Sequence, residues 1–519
     1  MHVNSEFYVL LAVLVAAFSY VASSTCSDSR PNIVLILADD MGWGDLSVYG
    51  HPSQEWGRID QMAAEGMRFT NFYSASSMCS PSRASILTGR VPPRTGVWNA
   101  NYSSISLFGP MDSTGLPAEE LTIAEVLREA GYRTGMVGKW HLGTNQYNSS
   151  DGVHLPHHHG FDYVGTSLPF SMTWHCDEHQ IHIPKPPPFC FLYRGAELVQ
   201  QPIDMHHMTE SIVEDAVSFI EDNVDRKFFL YLSLTHTHID LTVTPRFHKS
   251  SARGRYGDNV NEMQWVVGTV LDTLQSRHLQ ENTLVFFVSD NGPDVNICEE
   301  GGSPGILRGG KGKTWDGGIR VPAVAYWPCR IQAGHTSKAI LSTTDLLPTF
   351  AELARKQLPT DITIDGKSMS SVLFDGSATS HEILYFYCAD VLMAVRYGNY
   401  KIHFRSQSVS PPEYYDDDST CVNGVPQDFP FLCYDCEGDC VTSHDPPLYF
   451  DIENDPGERW PLGENKIPEE VLLRVASLVF EHKKGMVARS AEIGSEPLDP
   501  SLQPCCNPPA CTCNYPGKI

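Results

Sequence analysis

From residue 31 onward, short apolar runs alternate with stretches of helical periodicity. Asn32–Ala38 (NIVLILA) is apolar after its first residue and runs into Asp39 and Asp40, which predicts a buried strand. Ile123, Val126, Leu127 and Ala130 fall at i, i+3, i+4 and i+7, one face of a helix that Gly131 can terminate. Thr134–Val137 returns as a strand. Val213, Ala216, Val217 and Ile220 mark a second helix, followed by the strand Phe228–Leu234. Glu262–Leu274 reads as a helix and Thr283–Ser289 (TLVFFVS) as one more buried strand. Strands alternating with helices predict an α/β fold, a mainly parallel or mixed sheet covered on both faces.

The pattern changes near residue 375. Ile383–Tyr387 and Leu392–Tyr397 read as short strands, and Gly398-Asn399 is a two-residue turn into Tyr400–Phe404. Pro411–Pro447 is polar, Pro-rich and Cys-rich, the composition of a stapled loop. Val471, Leu472, Val475, Leu478 and Val479 then mark one amphipathic helix. The chain therefore divides into residues 25–375, a catalytic-sized α/β domain, and 376–519, a smaller antiparallel α+β domain with a cystine-rich tail. Residues 1–24 stand apart. Tyr8–Phe18 (YVLLAVLVAAF) has the length of a signal-peptide core and is too short to span a bilayer, and Ala22-Ser23-Ser24 supplies small residues before a cleavage site. No later segment is apolar enough for a transmembrane helix.

Composition narrows the class. Apolar residues make up 41% of the 519, enough for a large core. The 62 acidic residues exceed the 37 Lys+Arg by 25, the wrong balance for general nucleic-acid binding. An anionic ligand would need a local positive pocket in a negative protein. Fifteen cysteines suit an oxidising compartment, and seven crowd the end: Cys433, Cys436, Cys440, Cys505, Cys506, Cys511 and Cys513. Disulfides account for them better than zinc does, because Cys433, Cys436 and Cys440 lack an obvious second half-site. Asn101-Tyr102-Ser103 and Asn148-Ser149-Ser150 are acceptors for N-glycosylation in an exported protein. A secreted or lysosomal destination follows as the expectation.

Cys79-Ser80-Pro81-Ser82-Arg83 opens a helical segment, with Pro81 suited to its first turn. Cys79 then stands at a helix N-terminus, where free N–H groups and the dipole favour anions. Asp39 and Asp40 end one predicted strand; Asp290 and Asn291 end another. Ligands collect at such carboxyl ends. Three carboxylates and an amide oxygen form a hard site for Ca²⁺ or Mg²⁺ rather than zinc. Arg83, Lys139 and Lys311 are candidate sources of the local positive charge. His141 follows Lys139 at i+2, on the same face of a strand, and His238 closes Thr235-His236-Thr237-His238 after another strand.

Cys-x-Pro-Ser-Arg resembles the core motif of the type I sulfatases, formylglycine-dependent enzymes. Gly131–Gly143 (GYRTGMVGKWHLG) is similar to their second motif. Ala38–Asp45 (ADDMGWGD), Ser289–Gly292, Gly310–Gly318 (GKGKTWDGG) and Leu448–Glu458 (LYFDIENDPGE) are similar to further stretches, with the animal arylsulfatases nearest. The resemblance spans residues 31 to about 460 and implies an alkaline-phosphatase-like fold. It implies a hydrolase of sulfate monoesters, releasing an alcohol or phenol and inorganic sulfate. Cys79 would be oxidised to Cα-formylglycine by the formylglycine-generating enzyme, and the hydrated aldehyde would pass through a sulfated-enzyme intermediate. One Ca²⁺ would be held by Asp39, Asp40, Asp290 and Asn291. Lys139, Ser171 and Lys311 would contact the sulfate group. Arg83, His141 and His238 would complete the catalytic set with Cys79, His238 protonating the leaving alcohol and His141 taking a proton from the second hydroxyl. The partners implied are small-molecule or saccharide sulfate esters, and a homo-oligomer is compatible with all of this. Two rival readings stand beside it: a matrix protein that binds sulfated polysaccharide without turnover, and a phosphatase or phosphodiesterase on the same fold.

Overall fold

The computed structural model describes residues 30–168, 176, 190–376, 380–408, 421–422, 425–426 and 433–514. The expected signal peptide, Ser171 and much of the Pro411–Pro447 loop lie outside the described residues. Among the described residues, eleven strands form one sheet around a parallel centre. Asn32–Ala38 lies between Phe228–Ser233 and Thr283–Ser289, parallel to both. Arg133–Lys139 and Tyr163–Leu168 continue the parallel run beyond Phe228–Ser233. Ala323–Tyr326 turns antiparallel beside Thr283–Ser289, and the tail strand Cys513–Asn514 pairs antiparallel with Glu197–Gln201 at the opposite side.

Period-two alternation explains the unbroken apolar runs. Ile33, Leu35 and Leu37 face one core, with Phe229, Tyr231, Phe286 and the helix residues Ile123, Leu127 and Phe350. Val34, Ile36 and Ala38 face the other, with Leu230, Phe287, Ile212, Ala216, Met263 and Val267. The helices covering these faces are Ile123–Glu129 and Leu346–Leu353 on the first and Met205–Glu221 and Arg255–Ser276 on the second. The last two begin well before the predicted limits, and the added turns bury Met205, Met208 and Ile212 in one and Tyr256 and Val260 in the other against the same core. A capping box closes the start of Ile123–Glu129, the Thr122 hydroxyl accepting from Glu125 N and Glu125 accepting from Thr122 N.

The smaller sheet contains Ile383–Cys388, Val391–Tyr397, Tyr400–Gln407 and Val441–Asp451, all antiparallel. Residues 441–447, expected in a loop, instead begin the last of these strands. Cross-strand pairing with Tyr400–Gln407 organises a segment whose own sequence is polar. The helix Glu469–Gly485 packs on this sheet through Val475 and Val479. The cysteines form Cys433–Cys440 and Cys388–Cys436 disulfides, not a zinc site, and Cys505–Cys511 and Cys506–Cys513 bind up the tail.

A buried ionic cluster links the two sheets. Lys401, from the small sheet, lies 2.7 Å from Asp316 and 3.2 Å from Glu458, and His403 lies 2.6 Å from Glu458. All four side chains are 0% exposed. Two of the motif segments, Gly310–Gly318 and Leu448–Glu458, therefore meet through Asp316 and Glu458, and their shared acidic residues serve architecture. Lys401→Met removes the cation and leaves carboxylates buried together. Breaking such a pair costs about 3–5 kcal/mol. Denaturant titration is expected to show that loss; an unchanged midpoint would mean the cluster contributes nothing.

A contact within the smaller domain, between its helix and its sheet, is sensitive to pH. His482 stacks on Tyr385 at 3.5 Å and hydrogen-bonds Tyr387 Oη at 2.6 Å. Burial holds its pKa down to about 4. The folded state then binds fewer protons than the unfolded state between the ordinary histidine range and about pH 4. Stability is therefore full at neutral pH and declines as pH falls through that window. His482→Gln is expected to flatten this part of the Tm–pH curve measured by calorimetry, and an equal slope in both proteins would refute the assignment.

Candidate active site

Five parallel strands deliver their carboxyl ends to one place. The register pairs Ala38 with Ser289, so Asp39-Asp40 and Asp290-Asn291 emerge side by side. Phe228–Ser233 and Arg133–Lys139 end beside them, followed by His238 and His141. The helix Cys79–Thr88 points its N-terminus here, and every one of its residues is buried.

The polar groups interlock. Asp290 Oδ2 accepts from Arg83 Nε at 3.0 Å and Nη2 at 2.7 Å, and Arg83 lies 3.3 Å from Asp39. Arg83 Nη1 also donates to Ser233 Oγ at 2.6 Å. Lys139 Nζ lies 2.5 Å from Asp39, and Lys311 Nζ 2.5 Å from Asp40. Asn291 Nδ2 donates to Asp40 Oδ1 at 2.8 Å, while Asp290 Oδ1 accepts from Asp40 N at 3.0 Å. Cys79 Sγ sits 3.6 Å from both Asp39 Oδ1 and Asp40 Oδ1, and it is the free cysteine among the described residues. His238 Nε2 lies 3.7 Å from Asp40 Oδ2. Asp40 and His141 adopt φ of +58° and +59°, left-handed conformations that store strain where chemistry is placed.

The charges shape each other. Burial opposes ionisation of Asp39 and Asp40, yet Lys139 and Arg83 on the first and Lys311 on the second hold both carboxyls below the usual range. Burial weakens the Lys311 ammonium, but Asp40 holds it well above its ordinary value. Burial pushes the Cys79 thiol well up, against the pull of Lys139 and Lys311. Burial, then Lys139 and Arg83, keep His141 neutral far below the usual histidine range. His238 is lowered by burial and Lys311, with Asp40 opposing.

Of the residues singled out in the sequence, the fold gathers Asp39, Asp40, Cys79, Arg83, Lys139, Lys311, His238, Asp290 and Asn291 into direct contact. His141 lies two residues past the end of Arg133–Lys139 and, with φ +59°, is not on the strand face that its spacing from Lys139 predicted; Ser80 Oγ holds it by donating to its carbonyl at 2.8 Å. His236 faces away, 3.1 Å from buried Glu262. Sequence reasoning missed Asp45, which ties the site's loops together. Its carboxylate accepts from Gly42 N at 2.6 Å and Ser303 N at 2.7 Å, and pairs with Arg253 at 2.5 Å. It also takes Tyr256 Oη at 2.7 Å, which lies 2.7 Å from the Thr237 hydroxyl beside His238. Asp45 stands inside the ADDMGWGD motif, but nothing along the chain indicates which distant groups it would bind.

A donor set of this kind fits a metal. One ligand atom each from Asp39, Cys79 and Asp290 lie within 4.8 Å of one another. Asn291 Oδ1 is buried with no hydrogen-bond partner among the described residues. Hard oxygens dominate, which suits a divalent oxygen-seeking cation.

A sheet of this order, with acids, cations and a helix N-terminus gathered at its strand ends, is the alkaline-phosphatase-like architecture. The Sulfatase family model matches residues 31–356, and the model of the C-terminal region of aryl-sulfatase matches 379–513. The chain belongs to the sulfatase family and is a sulfuric ester hydrolase. An arylsulfatase of Hemicentrotus pulcherrimus is 49% identical over 94% of this chain and 87% of its own length. Arylsulfatase A of Bos taurus is 37% identical, covering 95% of each chain. The crystal structure of PsFucS1 sulfatase from Pseudoalteromonas sp. superposes with a TM-score of 0.72 at 26% identity, covering 91% of this chain and 94% of its own. Among the described residues no helix is long and apolar enough to cross a membrane.

Proposed function

We propose that this protein is an exported arylsulfatase that acts through a formylglycine made from Cys79 and one Ca²⁺. The observation that carries the reading is Cys79 itself: unpaired, buried at a helix N-terminus, and 3.6 Å from two carboxylates. A thiol held neutral there is a poor nucleophile. When present, the hydrated aldehyde supplies an oxygen nucleophile in its place. Asp39, Asp40, Asp290 and Asn291 would hold Ca²⁺, which adds electrostatic stabilisation of the developing charge.

The chain's own residues divide the remaining work. Three carboxylates face Arg83, Lys139 and Lys311, so the site is formally neutral; a divalent cation and a monoester anion together leave it one positive charge. The cation's two charges attract the ester anion, and the one left over stabilises its transferring group. Lys139 and Lys311 contact the sulfate, with Ser171 added on the resemblance alone. Arg83 holds Asp290 and Asp39 in position. His238 gives a proton to the leaving oxygen and His141 receives one at Nδ1 or Nε2. Of these, Nδ1 has no partner among the described residues. Residues 1–24 act as signal peptide, 25–375 form the catalytic domain and 376–519 the smaller one. Secretory transit supplies the formylglycine-generating enzyme and N-glycosylation at Asn101 and Asn148. The endpoint is extracellular or lysosomal.

Two measurements test the reading. Hydrolysis of a chromogenic aryl sulfate is expected to exceed that of the matching phosphate by orders of magnitude; a preference for phosphate, or turnover of neither, would overturn it. Peptide mass spectrometry of protein from a cell with the modifying enzyme is expected to find aldehyde at residue 79. Only thiol or disulfide there would refute the modification.

A further inference from the structure

Lys311 and Lys313 alternate along one loop but meet different fates. Lys311 pairs with Asp40. Lys313 is 5% exposed, and its Nζ has no hydrogen-bond partner among the described residues. The ammonium faces the Tyr434 ring, 4.9 Å from its centroid. Burying an ammonium without an acceptor is expensive. Burial lowers its pKa to about 8, with Asp294 and Asp435 opposing.

The surroundings are firmly built. Tyr434 lies between Cys433, bonded to Cys440, and Cys436, bonded to Cys388. Its carbonyl accepts from Ser104 N at 2.6 Å, and its hydroxyl accepts from Asn296 Nδ2 at 3.1 Å. Asp294 accepts from Asn296 Nδ2 at 3.1 Å. Gly312 has φ +80°, and a Cβ there would stand 3.1 Å from the Tyr434 ring, so the loop is pressed against it. Ser104 Oγ, on the same side of Gly312, also lacks a partner among the described residues. Asp294 interacts electrostatically with Lys311, Asp40 and His238 and also with Lys313. Gly312 N donates to Ser77 O at 2.8 Å, two residues before Cys79, and Lys311 N to Pro293 O at 2.8 Å, beside Asp294, so this loop lies against the reaction centre.

We propose that Lys313, with Asp294, Asn296 and Tyr434, forms the subsite for the alcohol part of the ester and that its ammonium takes a second anionic group there. The inference rests on the sulfatase reading and narrows its substrate class to esters whose alcohol is itself charged. Asp294 and Asn296 offer hydrogen bonds to polar substituents. Lys313 supplies the charge that selects an anion over its neutral isostere.

The test compares 4-carboxyphenyl sulfate with 4-carbamoylphenyl sulfate, a neutral isostere. Wild-type protein is expected to favour the carboxylate in kcat/KM, through KM. Lys313→Met is expected to reduce that preference roughly tenfold or more, the size of one charge-assisted hydrogen bond. Lys313→Arg, which keeps the charge, is expected to retain most of it. Wild type that does not distinguish the two esters overturns the subsite, as does a Met variant that slows both in equal proportion. Hydrolysis of neither ester by wild type overturns the sulfatase reading and the subsite with it; hydrolysis of both without preference overturns the subsite alone.

Discussion

Asp290→Ala is expected to lose turnover and bound metal together. Asp290 is fully buried and uses both oxygens. One holds Arg83 through two hydrogen bonds, and the other accepts from Asp40 N and Asn291 N. Alanine removes a proposed ligand, frees the loop that carries Asp40, and leaves Arg83 with Asp39 as its nearest acid. Electrostatic help from a bound cation is worth several kcal/mol, so activity toward an aryl sulfate is expected to fall by roughly 10³-fold or more. Loss of the buried pair adds about 3–5 kcal/mol of instability. Asp290→Asn separates the two effects. It keeps the shape and one acceptor oxygen, so it is expected to recover much of the Tm while metal content and turnover stay low. Elemental analysis beside calorimetry reads both. Full turnover with full metal content in Asp290→Ala would remove Asp290 from the site.

His238→Ala and His141→Ala are expected to fail at different moments. Removing one acid or base typically costs about 10²–10⁴-fold in the step it serves. His238 is half-buried beside Asp40 and Lys311, placed for a leaving oxygen. Its loss is expected to matter most for poor leaving groups and to shrink as the phenol becomes more acidic. His141 is fully buried and held neutral by burial, Lys139 and Arg83, the state a base requires. Its loss is expected to spare the first release of an acidic phenol and stall afterwards, giving a burst of one equivalent. Rapid mixing with aryl sulfates of graded leaving-group acidity distinguishes them. A burst from His238→Ala, or none from His141→Ala, would reverse or merge the roles.

Much of this was legible along the chain because it depends on local order. Thr283–Ser289 has the bounds its apolar run predicts, since both of its faces are buried. The helix at Cys79 opens where the proline predicts it. The acids at the ends of two strands became one cluster because those strands pair in parallel, and α/β alternation foretells that pairing. The resemblance points to His238 rather than His236, and the fold agrees: Glu262, 26 positions away, takes His236, while His238 lies beside Asp40.

What tertiary structure alone decided are the partners of buried polar groups. Asp45, Glu262, Asp316, Glu458 and Lys401 all act across large sequence separations, and none has a spacing signature. Charge at a single position looks alike along the chain whether it faces water, an ion pair or a ligand. Lys311 and Lys313 make the point: two lysines with one residue between them, in one glycine-rich loop. Only the packing of Tyr434 and Asp40 around that loop gives one an acid and leaves the other without an acceptor among the described residues. A strand or helix follows from periodicity that neighbours in sequence can carry. A buried charge is stabilised or stranded by groups that only folding brings near, and the electrostatic energy depends on those distances.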